Sequence, residues 1–351
     1  MGMASEIRQD KTSGRWVIIA PTRGKRPSDF RRHKEGRESQ PIHDPRCPFC
    51  AGNEQTLPGI IMESSLPGQT GWQTRVVPNK YPALTPEADA SRYRRGIYLA
   101  MPGYGRHEVI IESPLHNQDL ATMSPAAVAT VIETYHRRYV EVMKERNNLM
   151  AIVFRNHGIR AGTSLLHPHS QLMVTGIVPQ WVRWRENEAQ DYFDEWGRCV
   201  YCDILAFEAR DRQRVILENT SFLAFVPFAA EVPFEVWLVP KRHQADFGRI
   251  SDEEKKDLTS ALRDILARLC RKLDNPDYNY MINTSTRHQT EQPQLHWFLQ
   301  LQPRLTTQAG FEIRTGMHIN PSVPEEDAAY LNEASPHAPA AAEGLDTETF
   351  S

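Results

Sequence analysis

The chain has 351 residues, of which 40% are hydrophobic and 24% are charged, and its formal net charge is −3. This length is enough for one large domain or two ordinary ones with a buried core, and the composition is that of a soluble globular protein. The small negative net charge argues against a protein that binds nucleic acid generally.

The start of the chain and its most apolar segment both bear on membrane association and secretion. No charged start followed by an apolar stretch opens the chain, so we expect a cytoplasmic protein without a secretory signal. The most apolar segment, 222–240, contains Glu231, Glu235 and several prolines, which excludes a membrane-spanning helix. The five cysteines of such a protein are expected to be thiolates and not disulfides.

The first predicted element is a strand over residues 15–20, which Pro21 ends. A basic loop follows over residues 22–27 and contains Arg23 and Arg26. Taken alone, such a loop is typical of a solvated surface turn. The planar guanidinium group of arginine also binds phosphate through two parallel hydrogen bonds, so the loop is a candidate contact for a diphosphate.

The later elements occur twice in the same order. Each copy has a Cys-x-x-Cys pair, a β-branched and aromatic strand followed by a histidine, a helix, a second strand and a closing motif. That motif is His-Pro-His-Ser-Gln over residues 167–171 and His-Trp-Phe-Leu-Gln over residues 296–300. Repetition on this scale indicates a duplicated architecture. We therefore predict an α+β fold with antiparallel sheets and one long helix per half.

The predicted helices begin with recognisable caps. A Ser-Pro pair opens the first helix, within residues 124–147, and a Ser-x-x-Glu capping box opens the second at Ser251. Both segments carry apolar residues at helical spacing. Short strands are predicted after the helices, over residues 150–155 and 278–282.

The repeat also sets the expected division of the chain. We expect a catalytic first half over residues 1–185 and a second half over residues 186–323. From residue 324 onward the chain is rich in alanine, proline and acidic residues, so the segment 324–351 is predicted to be a disordered tail.

The paired cysteines have three common explanations, which are redox chemistry, structural zinc and coincidence. A redox pair would accompany a thioredoxin-like βαβ pattern, and neither pair does. Zinc prefers four tetrahedral nitrogen and sulfur ligands, and the repeated histidines complete two such sets. Alternatively, the thiols bind metal while the distant histidines only pack in the core. The use of matching positions by both halves favours two closed, structural zinc sites. The predicted ligand sets are Cys47, Cys50, His116 and His167 in the first half and Cys199, Cys202, His243 and His296 in the second.

Only the first motif keeps a residue able to do nucleophilic chemistry. His169 occupies its middle position, where the second motif has Phe298, and a phenyl ring neither attacks phosphorus nor binds a metal. Because His167 and His169 are two residues apart, a strand points both side chains to the same side, one toward the metal and one toward a ligand. The glycine-containing loop 156–164 offers backbone and hydroxyl donors for phosphate oxygens.

Together these motifs resemble the galactose-1-phosphate uridylyltransferase branch of the histidine-triad superfamily, including its plant-type relatives that act on ADP-glucose. The resemblance spans about residues 8–325. It rests on Arg-Trp-Val with Arg23-x-Lys25-Arg26-Pro27, on Cys47-Pro48-Phe49-Cys50, on the segment 77–84, on Glu112-Ser113-Pro114-x-His116, and on the His-Pro-His-x-Gln core.

The resemblance implies a duplicated histidine-triad-like fold and roles for individual residues. His169 is the nucleophile that carries a nucleotidyl group, and Gln171 holds a nonbridging phosphoryl oxygen. The family is usually homodimeric, which makes Gly310, Phe311 and Glu312 candidate contacts to the partner's site. The residues that match nucleotide-sugar contacts are Arg23, Arg26, Asn79, Asn156, Gly162, Thr163, Ser164 and Gln171.

We therefore predict a nucleotidyltransferase of galactose metabolism that acts on UDP-glucose and galactose 1-phosphate, with no nucleic-acid or membrane partner. ADP-glucose phosphorylase, which transfers an adenylyl group to phosphate, is the alternative. The second half of this chain supports the alternative. The best-known enterobacterial-type members of the family have an additional metal-binding histidine at the position of Phe298, whereas the second half of this chain has Phe298 there and carries a Cys-x-x-Cys pair instead.

Two other functions are weighed against these. A non-catalytic nucleotide-binding protein with structural zinc is disfavoured by the intact His169 and Gln171, because the second half shows what their loss looks like. A hydrolase of dinucleoside polyphosphates is disfavoured by Gln171, where hydrolytic triad proteins carry another histidine. An amide is not a proton donor of comparable acidity.

Overall fold

The computed structural model describes residues 4–23, 27–30 and 40–333. Within these ranges the strands are β1 (Glu6–Gln9), β2 (Trp16–Ile19), β3 (Met62–Ser64), β4 (Thr74–Pro78), β5 (Tyr93–Arg95), β6 (Tyr98–Ala100), β7 (Gly105–Ile111), β8 (Met150–His157), β9 (His169–Thr175), β10 (Val215–Glu218), β11 (Phe222–Phe225), β12 (Val236–Pro240), β13 (Tyr278–Asn283), β14 (Phe298–Pro303) and β15 (Ile319–Asn320). The α-helices there are α1 (Pro125–Val142), α2 (Gln180–Trp196), α3 (Val200–Asp211), α4 (Asp252–Leu273), α5 (Gly310–Thr315) and α6 (Pro324–Asn332). Among the described helices, none has the length and hydropathy that crossing a bilayer requires.

A ten-stranded sheet in the order β10-β11-β12-β14-β13-β8-β9-β7-β4-β3 runs through both halves. All of its neighbouring strands pair antiparallel. The halves meet where β8 pairs with β13, with Phe154 opposite Met281. On either side of this seam the order β8-β9-β7 is mirrored by β13-β14-β12, which confirms the duplicated α+β fold. A smaller sheet, β1-β2-β15, has β15 parallel to β2.

Both predicted long helices form and pack against one face of the large sheet. The hydroxyl of Ser124 accepts from the Ala127 N–H group at the start of α1 (3.2 Å), and Ser251 and Glu254 complete the capping box of α4. The apolar stripes of α1 and α4 join one core with every second residue of the central strands. Ala151 and Val153 of β8, for example, are buried beneath the helices. The residues between them face the opposite side, where the functional groups lie.

The strand register shows which residues of the two halves are equivalent. Gln171 lies between Val109 and Phe154, and Gln300 lies between Trp237 and Met281. Counting along the strands from this pair of glutamines, His169 corresponds to Phe298 and Asn156 corresponds to Asn283. His107 corresponds to Glu235.

Two features differ from the predictions. Helices α2 and α3 link the halves in addition to the predicted helix of each half. Helix α2 was missed because it is largely exposed, with Glu186 and Ala189 its buried residues, and so carries no wide apolar stripe. Pro324–Asn332 form a helix, which corrects the prediction of a disordered tail from residue 324, because the helix buries Ala328 and Leu331 completely against the main core. Residues 334–351 lie outside the described ranges.

Replacing Phe298 with Ala is expected to lower the free energy of unfolding by about 3–5 kcal/mol, as core aromatic truncations do. The Phe298 ring is buried, with its centre 4.5 Å from that of Trp237 and 5.6 Å from that of Tyr201. Urea denaturation measures the change. Phe207→Ala, which truncates a ring that is 45% exposed, is the control and should cost less than about 1 kcal/mol. An equal loss for both variants would show that Phe298 has no special packing role.

Candidate active site and metal centres

The four predicted metal ligands of the first half come together in space. One donor atom from each of Cys47, Cys50, His116 and His167 lies within 4.8 Å of every other. The Cys50 sulfur is 3.5 Å from Nδ1 of His116 and 3.6 Å from Nδ1 of His167. The cysteines stand on a turn that the Asn53 side chain closes by donating to the Cys47 carbonyl (2.7 Å).

The second half repeats this cluster with Cys199, Cys202, His243 and His296, whose donor atoms also lie within 4.8 Å of one another. The Cys202 sulfur is 3.3 Å from Nδ1 of His243 and 3.7 Å from Nδ1 of His296. These cysteines open helix α3, with Cys199 at its cap. The two clusters are therefore chemically identical although different local structures carry their thiols.

Outer hydrogen bonds decide which ring nitrogen faces each cluster. Nε2 of His167 donates to the Ser113 carbonyl (2.8 Å), and Nε2 of His296 donates to the Pro240 carbonyl (2.9 Å). Such bonds fix the tautomer of a metal-binding histidine and leave Nδ1 as the donor. Burial lowers the pKa of His167 to about 4, which keeps its ring neutral, as a metal ligand must be. Two thiols and two neutral imidazoles form a closed set that can hold a metal ion, with no open position for water.

His169 opens strand β9, and its side chain is 9% exposed. Nδ1 of its ring donates to the His167 carbonyl (2.8 Å), so the unprotonated Nε2 keeps its lone pair. Burial lowers the pKa of His169 below its ordinary value, which keeps the ring neutral near pH 7. The edge of Phe49 packs on the ring at 5.3 Å between centres. The imidazole is thus held in one orientation with one reactive nitrogen.

A buried ionic network supports His169 from the helix side of the sheet. Arg155 donates to both carboxylate oxygens of Glu112 (3.0 and 3.2 Å), and the Tyr135 hydroxyl donates to the same carboxylate (2.8 Å). The Ser170 hydroxyl, next to His169 in sequence, belongs to the same network. Glu112 and Arg155 are both less than 3% exposed. Removing one partner of such a pair leaves a buried unpaired charge, so the network resists movement of β9.

Gln171 is oriented by His107, a residue that motif analysis did not single out. The Ala83 N–H group donates to Nδ1 of His107 (3.3 Å), which places the ring proton on Nε2. That nitrogen lies 2.7 Å from Oε1 of Gln171 and donates to it, so the Gln171 amide nitrogen is left to donate to a ligand. Asn79 lies beside His107, and its Oδ1 accepts from the Tyr81 N–H group (2.9 Å). The available signal was a histidine two residues before the apolar part of strand β7, on the same face as Val109.

The predicted phosphate loop contains a 3-10 turn, Ile159–Ala161, between two glycines with positive φ, Gly158 (+85°) and Gly162 (+90°). A Cβ atom at Gly158 would lie 2.1 Å from Oδ1 of Asp277, so only glycine fits there. The Thr163 hydroxyl donates to the Leu165 carbonyl (3.0 Å). Ser164 and Gly162 are exposed on the outer side of the loop.

The remaining predicted contacts are two arginines near the start of the chain and three residues near its end. Arg23 is an exposed residue at the end of the 3-10 turn Pro21–Arg23, and Arg26 lies outside the described residues. Gly310, Phe311 and Glu312 stand in helix α5, where the Glu312 carboxylate accepts from the backbone of its own segment. Within the described ranges, no hydrogen bond joins these three residues to His169 or Gln171. A role across a subunit interface stays a prediction.

The equivalent position in the second half has different chemistry. The Arg185 guanidinium carbon lies 4.8 Å from the centre of the Phe298 ring, which stands in the place of His169. Gln300 donates to Glu235 (2.7 Å), which replaces His107. Burial raises the pKa of Glu235 to about 7. The second half therefore keeps a glutamine but has a phenyl ring in the place of the nucleophile.

Comparison with protein families assigns both halves to one kind of enzyme. Residues 2–179 match the model of the galactose-1-phosphate uridyl transferase N-terminal domain, and residues 185–338 match that of the C-terminal domain. An ADP-glucose phosphorylase from Arabidopsis thaliana is 38% identical over 336 residues, which is 94% of this chain and 93% of the relative. A galactose-1-phosphate uridylyltransferase from Thermotoga maritima is 27% identical over 338 residues, which is 93% of this chain and 98% of the relative.

Solved structures agree with these matches. The crystal structure of an Arabidopsis thaliana ADP-glucose phosphorylase with bound ADP-glucose superposes with a TM-score of 0.81 and 36% identity, covering 95% of this chain and 100% of that one. A structure of uridylyltransferase superposes with a TM-score of 0.71 and 26% identity, covering 93% of this chain and 97% of that one.

Proposed function

Because this chain belongs to the galactose-1-phosphate uridylyltransferase family, we propose that it transfers a nucleotidyl group from a nucleotide sugar through a covalent bond to His169. One observation carries the proposal. The buried His169 ring has its Nδ1–H group occupied by the His167 carbonyl, which leaves Nε2 as the free nucleophile beside the Gln171 amide and the phosphate loop. The second half has Phe298 at the corresponding position, with the Arg185 guanidinium group over its ring.

In the first step Nε2 of His169 attacks the α-phosphorus of the nucleotide sugar. The bond from that phosphorus to the sugar-phosphate oxygen breaks, and the sugar 1-phosphate leaves with the electron pair. The ring becomes positively charged, and the hydrogen bond from Nδ1 to the His167 carbonyl stabilises that charge. Gln171 donates to a nonbridging oxygen of the phosphoryl group in transit.

In the second step an oxyanion of the acceptor attacks the same phosphorus, and the phosphorus–nitrogen bond breaks. The electron pair returns to Nε2, so His169 ends the cycle neutral and no proton has to move. The Gln171 amide is a poor proton donor, which favours an acceptor that is already an anion over water. This supports transfer to a phosphate or sugar phosphate in preference to hydrolysis.

We propose that each Cys₂His₂ cluster holds one Zn²⁺ ion with a structural role. The four donors of a cluster are all protein atoms, and no ligand position is left for a substrate. Zinc bound at the first cluster would hold the His167 segment against Cys47 and Cys50 and so keep His169 in register.

ADP-glucose with phosphate is the first candidate substrate pair. The Arabidopsis thaliana ADP-glucose phosphorylase is 38% identical to this chain, compared with 27% for the Thermotoga maritima uridylyltransferase at similar coverage. UDP-glucose with galactose 1-phosphate, which the motif resemblance favours, is the second candidate and is supported by the match to the family models over both halves.

Steady-state kinetics with the two substrate pairs will distinguish these candidates. We expect kcat/KM for ADP-glucose with phosphate to exceed that for UDP-glucose with galactose 1-phosphate by about tenfold or more, equivalent to about 1.4 kcal/mol of transition-state binding. Crossed pairs, ADP-glucose with galactose 1-phosphate and UDP-glucose with phosphate, show whether the base or the acceptor is selected. A ratio of tenfold in the other direction would establish the uridylyl reaction.

We also propose a homodimer in the cytoplasm, in which helix α5 of one subunit reaches the site of the other. Phe311 is 49% exposed and Ile313 is 71% exposed on this helix, and apolar side chains of that size are commonly covered by a partner. Gly310 and Glu312 flank Phe311 and would contact the partner's ligand with it.

A further inference from the structure

Residues of the second half hold the phosphate loop of the first half. Asn279 of strand β13 donates through its Nδ2 to Oδ1 of Asn156 (2.7 Å) and to the Ala161 carbonyl (2.9 Å). The Arg160 N–H group donates to the Asp277 carboxylate (2.9 Å). The loop that the active site would use is therefore held by side chains from the half that has no nucleophile.

The donors and acceptors in this group can be assigned in only one order. Arg304 donates through Nε to Oδ1 of Asn279, and a guanidinium group has no acceptor. Oδ1 of Asn279 must therefore accept, and its Nδ2 must donate both hydrogens to Asn156 and Ala161. Oδ1 of Asn156 then accepts. An amide can exchange its oxygen and nitrogen by rotation, so such partners decide which atom faces outward.

Asn156 stands beside the nucleophile. Asn279 pairs directly with Asn156 across the β13–β8 seam. Two residues before this point on β8, Phe154 pairs with Gln171 of β9, so Asn156 is placed next to His169 on the same face of the sheet. The Asn156 side-chain atom that points away from Asn279, either Oδ1 or Nδ2, therefore faces the phosphoryl group that His169 would attack.

We infer that Arg304, Asn279 and Asn156 form a relay that turns the amide nitrogen of Asn156 toward the phosphoryl oxygens of the nucleotide sugar. The inference rests on the proposed function, because that function makes a nucleotide sugar the ligand of the sheet face that carries His169. Arg304 and Asn279 are positioning residues, because they act through Asn156. Asn279 is 7% exposed, so an unmatched amide there has no water to compensate it.

Arg304 adds a positive charge near the loop, and the Glu231 carboxylate acts on that charge without forming a direct ion pair. Within the part of the chain that the structure describes, no carboxylate lies within 4.0 Å of its guanidinium group, unlike Arg138, Arg155 or Arg214. The Asp277 carboxylate also lies against this loop, where it accepts from the Arg160 N–H group. The relay therefore supplies the orientation of a donor and not the sign of the local potential.

Asn279→Asp tests the relay with almost no change in size. The new carboxylate still accepts from Arg304 but cannot donate, so Asn156 must rotate and present its oxygen to the ligand. We expect the Kd for ADP-glucose or UDP-glucose to rise about tenfold to a hundredfold, as for a lost hydrogen bond to a charged group. Calorimetry on proteins that also carry His169→Gly measures Kd without turnover. Melting temperature and metal content show that the variant is folded.

Two further variants separate orientation from loop shape. Asn283→Asp makes the same chemical change on the same strand β13, at the position that corresponds to Asn156 and away from the phosphate loop, and we expect its Kd to match that of the parent. Arg304→Lys keeps a group that only donates, so it should stay within about threefold of the parent.

A double-mutant cycle with Asn156→Ala supplies the decisive comparison. If the relay acts through Asn156, adding Asn279→Asp to Asn156→Ala should change Kd by less than about twofold. If the two substitutions instead raise Kd independently, so that the double variant shows the product of the two single effects, Asn279 only shapes the loop and the relay is overturned.

The outcomes also separate the relay from the proposed function. If the protein binds a nucleotide sugar equally well with and without Asn279→Asp, the relay is wrong and the function stands. If Asn279→Asp weakens binding but wild-type protein never forms a covalent adduct at His169, the relay stands and the proposed mechanism is wrong. Absence of any nucleotide-sugar binding would overturn both.

Discussion

The His169→Gly variant is expected to lose nucleotidyl transfer by at least about a thousandfold while keeping its fold and its metal. The His169 ring supplies the nucleophilic nitrogen. The other histidine of the same motif, His167, faces the metal cluster through Nδ1 and donates through Nε2 to the Ser113 carbonyl. The His107 ring, which also lies near Gln171, has both of its nitrogens engaged, one by the Ala83 N–H group and one by Gln171. Removing the ring leaves the four clustered ligands and the buried network around Glu112 intact.

Incubation with ADP-glucose or UDP-glucose labelled at the α-phosphorus, followed by denaturation, measures the adduct directly. Label should remain on wild-type protein and be absent from His169→Gly. His288→Gly, which removes an exposed histidine outside both clusters, is the matched control and should retain the label. Added imidazole is expected to restore part of the turnover of His169→Gly by occupying the vacated space. Transfer above a few per cent of wild type without imidazole would contradict the covalent mechanism.

Loss of a metal centre is expected to have the largest effect on stability. Elemental analysis should find two zinc ions per chain, and Cys50→Ser or Cys202→Ser should each reduce this to one. Because binding energy at a closed zinc site is folding energy, each variant should lose several kcal/mol of stability, at least about 3. Cys270→Ser, which changes a cysteine outside both clusters, should alter neither value.

The two centres should differ in their effect on activity. The Cys50 side chain is fully buried beside His167, two residues before His169, so Cys50→Ser should abolish transfer even below the melting temperature. Cys202 holds the half without a nucleophile, so Cys202→Ser should keep measurable transfer at low temperature. One zinc per chain in the wild type would remove a site, and iron in either cluster would contradict the assignment of zinc.

The repeated elements of this protein could be predicted from sequence because each depends on residues close together in the chain. The caps at Ser124 and Ser251 and the apolar spacing behind them led to α1 and α4, within a few residues of the observed bounds. Comparison of the two motifs singled out His169 against Phe298. Helix α2 was missed for the converse reason, since it has few buried residues and hence no local pattern.

The metal ligands could be predicted from the sequence, but the orientation of their rings could not. The sequence named eight cysteines and histidines because the two halves repeat them, and the structure brings them into two groups of four. It could not show which ring nitrogen faces each cluster. That depends on the carbonyls of Ser113 and Pro240, which lie 54 and 56 residues away from His167 and His296.

What the tertiary structure alone decided is the surroundings of the reactive group. His107 meets Gln171 across 64 residues, Asn279 meets Asn156 across 123, and one continuous sheet makes the second half a support for the first. These contacts leave no local pattern, because strand pairing brings together residues whose spacing in the chain is set by the helices and loops between them. The sequence by itself therefore determined which residue types are available for metal binding and for attack on phosphorus. Folding determined their orientation, because hydrogen-bond direction is a property of neighbours in space and not of neighbours in the chain.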